Sequence, residues 1–138
     1  ITALANGARL VDDSYNASPA ATQFALASLK ATPATRRVAV LGEMRELGDL
    51  AHNLHFECGV AAEAAADLLI AIGGPDADAL AEGAAHAGLA GKSILRFADS
   101  AAAADAIESL VRAGDLILIK GSRGTRTDIV ADRLKGRA

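Results

Sequence analysis

Short β-rich stretches alternate with longer helical stretches along the whole chain. Apolar runs predict five strands, over about residues 8–13, 36–42, 67–73, 93–97 and 115–121. The third and fifth runs, DLLIAIGG and DLILIKGS, are almost continuously apolar. Such runs are typical of strands inside a parallel sheet that is covered on both faces. The alternation therefore predicts an α/β fold.

Helix signals fill most of the gaps between these strands. Ser18 and Pro19 supply an N-cap and a first-turn proline for a helix to about Leu29. Asp99 or Ser100 begins another helix. Two more helices are predicted over about 51–65 and 125–135. We expect one domain over residues 1–138: a three-layer, Rossmann-like arrangement with a mostly parallel sheet of five or six strands and helices on both faces.

Composition narrows the class of protein further. The chain has 138 residues, 51% of them hydrophobic, and a net charge of −3. This apolar fraction argues against disorder, and the acidic balance argues against a nucleic-acid partner or an anionic membrane surface. The apolar runs are too short for membrane insertion. Cys58 is the only cysteine, which favours the cytoplasm, and an N-terminal Ile rather than Met suggests a piece of something longer.

Polar residues concentrate after three of the predicted strands. They follow the first strand at 12–19, the second at 42–46 and the fifth at 120–126. In an open parallel sheet, the ligand crevice lies beyond the carboxyl ends of the strands. The sequence therefore predicts a functional site at that edge.

The segment after the fifth strand is rich in positive charge at the start of a helix. Its cations are Lys120, Arg123 and Arg126. The helix macrodipole disfavours cations there, whereas two glycines in the same window can expose backbone N–H groups to an anion. We interpret the segment as a binding site for a carboxylate or a phosphate. The alternative is a surface turn whose arginines pair with Asp128 or Asp132.

The segment after the first strand carries two adjacent aspartates. Side chains alternate along a strand, so only one of Asp12 and Asp13 can easily face the crevice. Asp13 could bind ribose hydroxyls or a cation-bearing substrate, with hydrogen bonds added by Tyr15 and Asn16. The alternative is ordinary turn chemistry, in which these residue types are common.

Other motifs fail on spacing. Residues 91–93, GKS, lead into a strand, so they do not form a phosphate-binding loop. His52, His55 and Cys58 are spaced so that a helix turns the third away from the first, and we predict no metal site. No G-x-G-x-x-G follows the first strand, which argues against dinucleotide binding.

Four segments together resemble the C-terminal domain of the Mur ligases. They are VDDSYNASP at 11–19, VAVLGEMRELG at 38–48, HFECG at 55–59 and LIKGSRGTRTDIV at 118–130. They occur in the family's order and spacing and span nearly the whole chain. Ser18 stands where the family usually has Asn, and Glu43 stands where it usually has Asp.

The resemblance implies an ATP-dependent amide ligase of peptidoglycan synthesis, of the branch that joins D-alanyl-D-alanine to UDP-N-acetylmuramoyl-tripeptide through an acyl phosphate. It implies that a central ATPase domain, absent from this sequence, holds most of the ATP and the Mg²⁺. This chain alone would then carry no catalytic residue and be inactive. The resemblance further implies nucleotide-binding roles for Asp13, Tyr15 and Asn16, and substrate-binding roles for Lys120, Ser122 and Arg123.

Two alternatives remain at this point. A phospho-accepting receiver module also has an acidic pair after its first strand and a lysine after its fifth, but it needs an aspartate at the end of the third strand. Residues 72–74, Ile-Gly-Gly, stand there instead. The other alternative is a sibling ligase domain, such as that of folylpolyglutamate synthetase, which lacks the GSRG segment.

Overall fold

The centre of the fold is a six-stranded sheet, seen in a computed structural model that describes residues 1–15, 17–122 and 124–136. The strands are β1 (Thr2–Ala3), β2 (Arg9–Asp13), β3 (Arg36–Gly42), β4 (Leu68–Ile72), β5 (Ile94–Phe97) and β6 (Asp115–Lys120). Their order across the sheet is β1-β2-β6-β3-β4-β5. The short edge strand β1 is antiparallel to β2, and the other neighbouring pairs are parallel. The predicted α/β class is confirmed.

Helices cover both faces of this sheet. They are α1 (Pro19–Ala31), α2 (Ala51–Ala65), α3 (Pro75–Ala87), α4 (Ser100–Leu110) and α5 (Asp128–Leu134). One buried cluster joins α1, α2 and α3 to one face, and a second joins α4 and α5 to the other. The alternating side chains of the strands feed both clusters: Leu118 of β6 packs in the first and Ile119 in the second. Burial on both faces explains why β4 and β6 read as continuous apolar runs.

The chain returns to the middle of the sheet with its last strand. β6 lies between β2 and β3, so the five parallel strands stand in the order 1-5-2-3-4 by their position in the sequence. Flavodoxin-like modules, the class to which receivers belong, have the order 2-1-3-4-5. The strand order therefore excludes the receiver alternative. It also brings the ends of the first, second and fifth predicted strands side by side.

Element boundaries differ from the sequence predictions in three places. Strand β1 and helix α3 were not predicted, and α5 begins at Asp128 rather than near Thr125. The delay in α5 has a backbone cause, since Arg126 has a φ of 56°, which is incompatible with a right-handed helix. The predicted caps are confirmed, because the side chains of Ser18 and Asp99 accept hydrogen bonds from backbone N–H groups of α1 and α4.

Helices α2 and α3 approach each other through a reciprocal pair of glycines. A Cβ on Gly59 would lie 2.1 Å from the carbonyl oxygen of Leu80, and a Cβ on Gly83 would lie 2.0 Å from that of Phe56. Neither position can carry a side chain unless the helices separate. Gly59 is the last residue of the HFECG segment, so its presence there has a packing cause.

Candidate functional site

Strands β2 and β6 end side by side and join the two predicted polar segments. Asp13 and Lys120 are register partners, and the Lys120 Nζ donates to Asp13 Oδ2 at 2.6 Å. The Lys120 side chain is 5% exposed, whereas that of Asp13 is 47% exposed. The buried ammonium is therefore matched by a carboxylate that still reaches solvent. The predicted common edge is confirmed.

The two adjacent aspartates point in different directions, as the alternation of a strand requires. Asp12 turns away from Lys120 and accepts a hydrogen bond of 2.6 Å from Lys135, beyond the end of α5. Burial raises the pKa of the Asp12 carboxyl, but hydrogen bonds and charge from Lys135 and hydrogen bonds from Ser14 outweigh burial and leave that pKa below its ordinary value. Asp12 is thus structural, and Asp13 is the aspartate open to a ligand.

A cavity of about 430 Å³ lies between α1 and one face of β2 and β6, and it extends to the last residue of each strand. Asp13 and Lys120 are its charged lining residues, and most of the others are apolar, among them Val11, Phe24 and Leu118. Phe24 is an exposed aromatic on α1. The cavity therefore offers an apolar wall beside a carboxylate that can accept hydrogen bonds from hydroxyl or ammonium groups.

Tyr15 lies in a different and smaller cavity, of about 250 Å³. Its other lining residues are Ser14, Arg126 and Asp128. Arg126 donates from Nε and Nη2 to the two carboxylate oxygens of Asp128, at 2.9 and 3.0 Å. This bidentate bond lowers the pKa of the Asp128 carboxyl. For Arg126, the surface-turn alternative is therefore confirmed, and its charge is already neutralised.

The loop after β6 is held closely against neighbouring threonines. A Cβ on Gly121 would lie 2.3 Å from Thr127 Oγ1, so only glycine fits at this point of the KGSRG segment. Ser122 donates from its backbone N–H to Thr125 Oγ1 at 3.3 Å and from its hydroxyl to the carbonyl oxygen of Glu43 at 3.4 Å. The loop after β6 is thereby tied to the loop after β3.

The loop after β3 is fixed by buried and partly buried hydrogen bonds that sequence reasoning missed. The backbone N–H of Met44 donates to His55 Nε2 at 2.8 Å, and His55 Nδ1 lies 2.6 Å from the carbonyl oxygen of Ala51. Glu43 Oε2 accepts from the backbone N–H of Asp76, in the first turn of α3. The one available signal in the sequence was His55 in HFECG, whose spacing was interpreted only as a possible metal ligand and as a family match.

Two of the predicted site residues, Asn16 and Arg123, lie outside the described residues, so their roles stay predictions. Of the other four, Asp13 and Lys120 are the last residues of the neighbouring strands β2 and β6, and Ser122 lies in the loop after β6. Tyr15 follows Asp13 along the chain but lines the second cavity.

The histidines and the cysteine of α2 are engaged separately. His52 lies at the surface, 3.4 Å from Glu82, whereas Cys58 is buried. Burial, with a contribution from Glu57, raises the pKa of the Cys58 thiol to about 11, so it is not a thiolate at neutral pH. Across residues 1–15, 17–122 and 124–136, no group of three His, Cys, Asp or Glu side chains is arranged to hold a metal.

Within the same ranges, the helices are too short or too polar to cross a membrane.

Comparison with known proteins agrees with this geometry. A family model described as "Mur ligase, glutamate ligase domain" matches residues 1–123. The UDP-N-acetylmuramoyl-tripeptide–D-alanyl-D-alanine ligase of Mycobacterium leprae is 34% identical over 99% of this chain and 29% of its own length. The enzyme of that name from Bacillus subtilis is 32% identical over 94% of this chain and 29% of its own length.

Solved structures show the same relationship. The MurF ligase of Thermotoga maritima, in complex with ADP, superposes with a TM-score of 0.76 at 30% identity, covering 95% of this chain and 29% of that one. MurF of Acinetobacter baumannii has a TM-score of 0.76 at 30% identity, covering 91% of this chain and 28% of that one. The chain thus spans somewhat less than a third of the length of the relatives it matches. With the family model covering most of its length, this chain belongs to the Mur ligases, as their C-terminal domain.

Proposed function

We propose that this chain is the C-terminal domain of an ATP-dependent ligase that joins D-alanyl-D-alanine to UDP-N-acetylmuramoyl-tripeptide in the cytoplasm. The relatives of M. leprae and B. subtilis bear this activity in their names. The observation in this chain that supports the proposal most is the meeting of Asp13 and Lys120 where β2 and β6 end, beside the loop after β3. Three loops there form one edge that a neighbouring ATPase domain of the same protein could cover.

The chemistry of such a ligase needs positioning from this domain. ATP with Mg²⁺ converts the terminal carboxylate of the tripeptide to an acyl phosphate. The neutral amine of the dipeptide then attacks the acyl carbon, the C–N bond forms, phosphate leaves, and the nitrogen loses a proton. Holding the amine in line with the acyl carbon can lower the activation free energy of this step substantially. Nucleic acid has no part in this reaction.

The nucleotide would be contacted by the loop after β2. The half-exposed Asp13 carboxylate, at the end of β2, can accept hydrogen bonds from the two ribose hydroxyls, and we assign Tyr15 and Asn16, which follow it in the sequence, to the same nucleotide. The sequence has no G-x-x-x-x-G-K-[ST] segment between a strand and a helix, so the phosphates and Mg²⁺ would be held mainly by the central domain. This division fits a domain that closes over a nucleotide bound elsewhere.

The substrates would be contacted by the loop after β6. Lys120 and Ser122 lie on or beside this loop, and Arg123 follows directly. We assign these three residues to the dipeptide and to the charge that develops on the acyl intermediate. Lys120 acts in this assignment as one half of its pair with Asp13 rather than as an isolated cation.

The test compares this chain with the full-length protein that contains it. The isolated chain is expected to fold cooperatively and to release no phosphate from ATP. The full-length protein is expected to release phosphate only when tripeptide and dipeptide are both present. Sustained Mg²⁺-dependent ATP hydrolysis by the isolated chain, or no ligation by the full-length protein, would overturn the proposal.

A substitution sharpens the test. Arg123→Ala in the full-length ligase should cost about 2 kcal/mol or more in kcat/KM, as expected for a charged contact that is desolvated on closure. Arg96→Ala is the matched control, because Arg96 is an arginine of β5 that pairs with Asp78 at the surface. Equal kinetics for the two variants would return Arg123 to the surface-turn interpretation.

A further inference from the structure

The cations at the carboxyl edge of the sheet are not equivalent. Lys120 is paired with Asp13, and Arg126 is paired with Asp128. Arg45, in the loop after β3, is exposed and has no carboxylate within 4.0 Å among the described parts of the chain. Of these three cations, Arg45 alone is left for an anion from outside.

Arg45 lies at the contact between two of the loops of the site. A Cβ on Gly124 would lie 2.7 Å from Arg45 Nε and 3.3 Å from Cζ, so the guanidinium rests against the backbone of the loop after β6. The same two loops are joined by the hydrogen bond from the Ser122 hydroxyl to the carbonyl oxygen of Glu43. Arg45 therefore stands beside Gly124 of the loop after β6, although it belongs to the loop after β3.

A buried histidine holds the residue before Arg45. Met44 N–H can only donate, so His55 Nε2 must be the unprotonated nitrogen and Nδ1 must carry the hydrogen that it donates to Ala51. His55 is fully buried and Met44 is nearly so. The residue after Arg45, Glu46, has a φ of 61°, a conformation that costs a side-chain-bearing residue free energy. The hydrogen bond from Met44 to His55 thus helps to hold the loop in a backbone conformation that is unfavourable at Glu46.

We propose that Arg45 binds the free carboxylate of the incoming dipeptide, and that His55 is the positioning residue that holds Arg45 in place through Met44. This inference rests on the proposed function. The dipeptide has a single carboxylate, which does not react and which enters a closing, water-poor site. A guanidinium offers a planar pair of donors that matches a carboxylate.

The first experiment removes either the positive charge of Arg45 or the negative charge of the dipeptide carboxylate. Arg45→Gln in the full-length ligase is assayed with D-alanyl-D-alanine and with D-alanyl-D-alaninamide, whose terminus is neutral. We expect the substitution to raise the KM for the dipeptide tenfold or more and to change the KM for the amide less than twofold. Arg45→Lys should fall between, and Arg96→Gln should match the wild type. An equal effect of Arg45→Gln on both substrates, or none on either, would overturn the proposal.

The second experiment tests the positioning role with two near-isosteric variants. A glutamine at 55 can still accept from Met44 N–H, as Nε2 does, whereas an asparagine reproduces only the Nδ1 side. We expect His55→Asn to raise the KM for the dipeptide at least fivefold with little change in the KM for ATP, and His55→Gln to restore most of the loss. Hydrogen exchange of the Met44 amide should be fast only in His55→Asn. The surface variant His52→Asn is the control on the same helix.

The outcomes separate the two levels of inference. Faster Met44 exchange in His55→Asn without a rise in the dipeptide KM would show that the clamp exists but does not position a binding residue, which overturns the proposal. Equal hydrogen exchange of the Met44 amide in the two His55 variants would show that His55 does not hold Met44, which also overturns the proposal. A wild-type protein that fails to ligate either substrate would instead remove the proposed function on which the inference stands.

Discussion

Removing the negative charge of Asp13 would leave the buried ammonium of Lys120 without a partner of opposite charge. The Lys120 side chain is 5% exposed, and its 2.6 Å bond to Asp13 is a charge-assisted hydrogen bond. Such bonds contribute about 1.5–3 kcal/mol, and a fully buried charge left unpaired costs about 3–5 kcal/mol. Asp13 is 47% exposed, so water can replace part of the lost contact. We therefore expect Asp13→Asn to lower the free energy of unfolding by about 1.5–2 kcal/mol.

The assay is a double-mutant cycle measured by urea unfolding of this chain. Lys120→Met removes the charge but keeps most of the side-chain volume, so Asp13→Asn in that background should cost less than about 0.5 kcal/mol. The coupling energy should exceed about 1 kcal/mol, and the melting temperature of Asp13→Asn should fall by about 5–7 °C. Asp105→Asn, at an exposed carboxylate that pairs with Arg133, is the control and should change stability by less than about 0.5 kcal/mol.

Additive effects in this cycle would refute the reasoning. They would mean that Lys120 is solvated well enough to stand alone, and that the edge of the sheet does not hold a matched pair of charges. The role assigned to Lys120 as one half of that pair would then fall with it.

Three other measurements test the packing and the titration of the fold. Gly83→Ala should lower the free energy of unfolding, measured by urea titration, by about 3 kcal/mol, because the new Cβ would lie 2.0 Å from the carbonyl oxygen of Phe56. The control Gly91→Ala has open space around the new Cβ and should change that free energy by less than about 0.5 kcal/mol. The Cys58 thiol, with a pKa of about 11, should react with a disulfide reagent at about pH 8 at least a hundredfold more slowly in the folded chain than in urea. Because the pKa of Asp12 is lowered by folding, the ionised carboxylate stabilises the fold at pH values above its ordinary pKa of 3.8, and this contribution is lost as the pH falls through the folded-state pKa. The difference in unfolding free energy between wild type and Asp12→Asn should therefore shrink on acidification. A difference that stays constant with pH would contradict this prediction.

Much of the fold could be predicted because burial leaves a strong pattern. Strands β4 and β6 are covered on both faces and read as continuous apolar runs. The helix at Pro75–Ala87 was missed because its buried face is made largely of alanine and glycine, which give little contrast with the rest of an alanine-rich chain. Strand β1 has two residues and is set only by its pairing with β2, so no local signal exists for it.

The site could be predicted to the level of an edge but not to the level of contacts. That the loops after the first and fifth strands meet follows from parallel topology. The pairing of Lys120 with Asp13 depends on the register of β2 against β6, which no local pattern contains. The parts played by His55 and Arg45 depend on how α2 and Gly124 pack against the loop after β3, and these are long-range contacts.

The insertion of β6 between β2 and β3 also dictates when this edge can exist during protein synthesis. The partner strands are made early, but the middle of the sheet stays open until Asp115–Lys120 have left the ribosome. More than a hundred residues separate Asp13 from Lys120, and closing so long a loop is slow relative to forming the local helices. In a nascent chain, β3, β4 and β5 could therefore pair well before β6 joins them to β2. Premature termination before residue 115 would leave the inner edges of β2 and β3 unpaired and prone to aggregation.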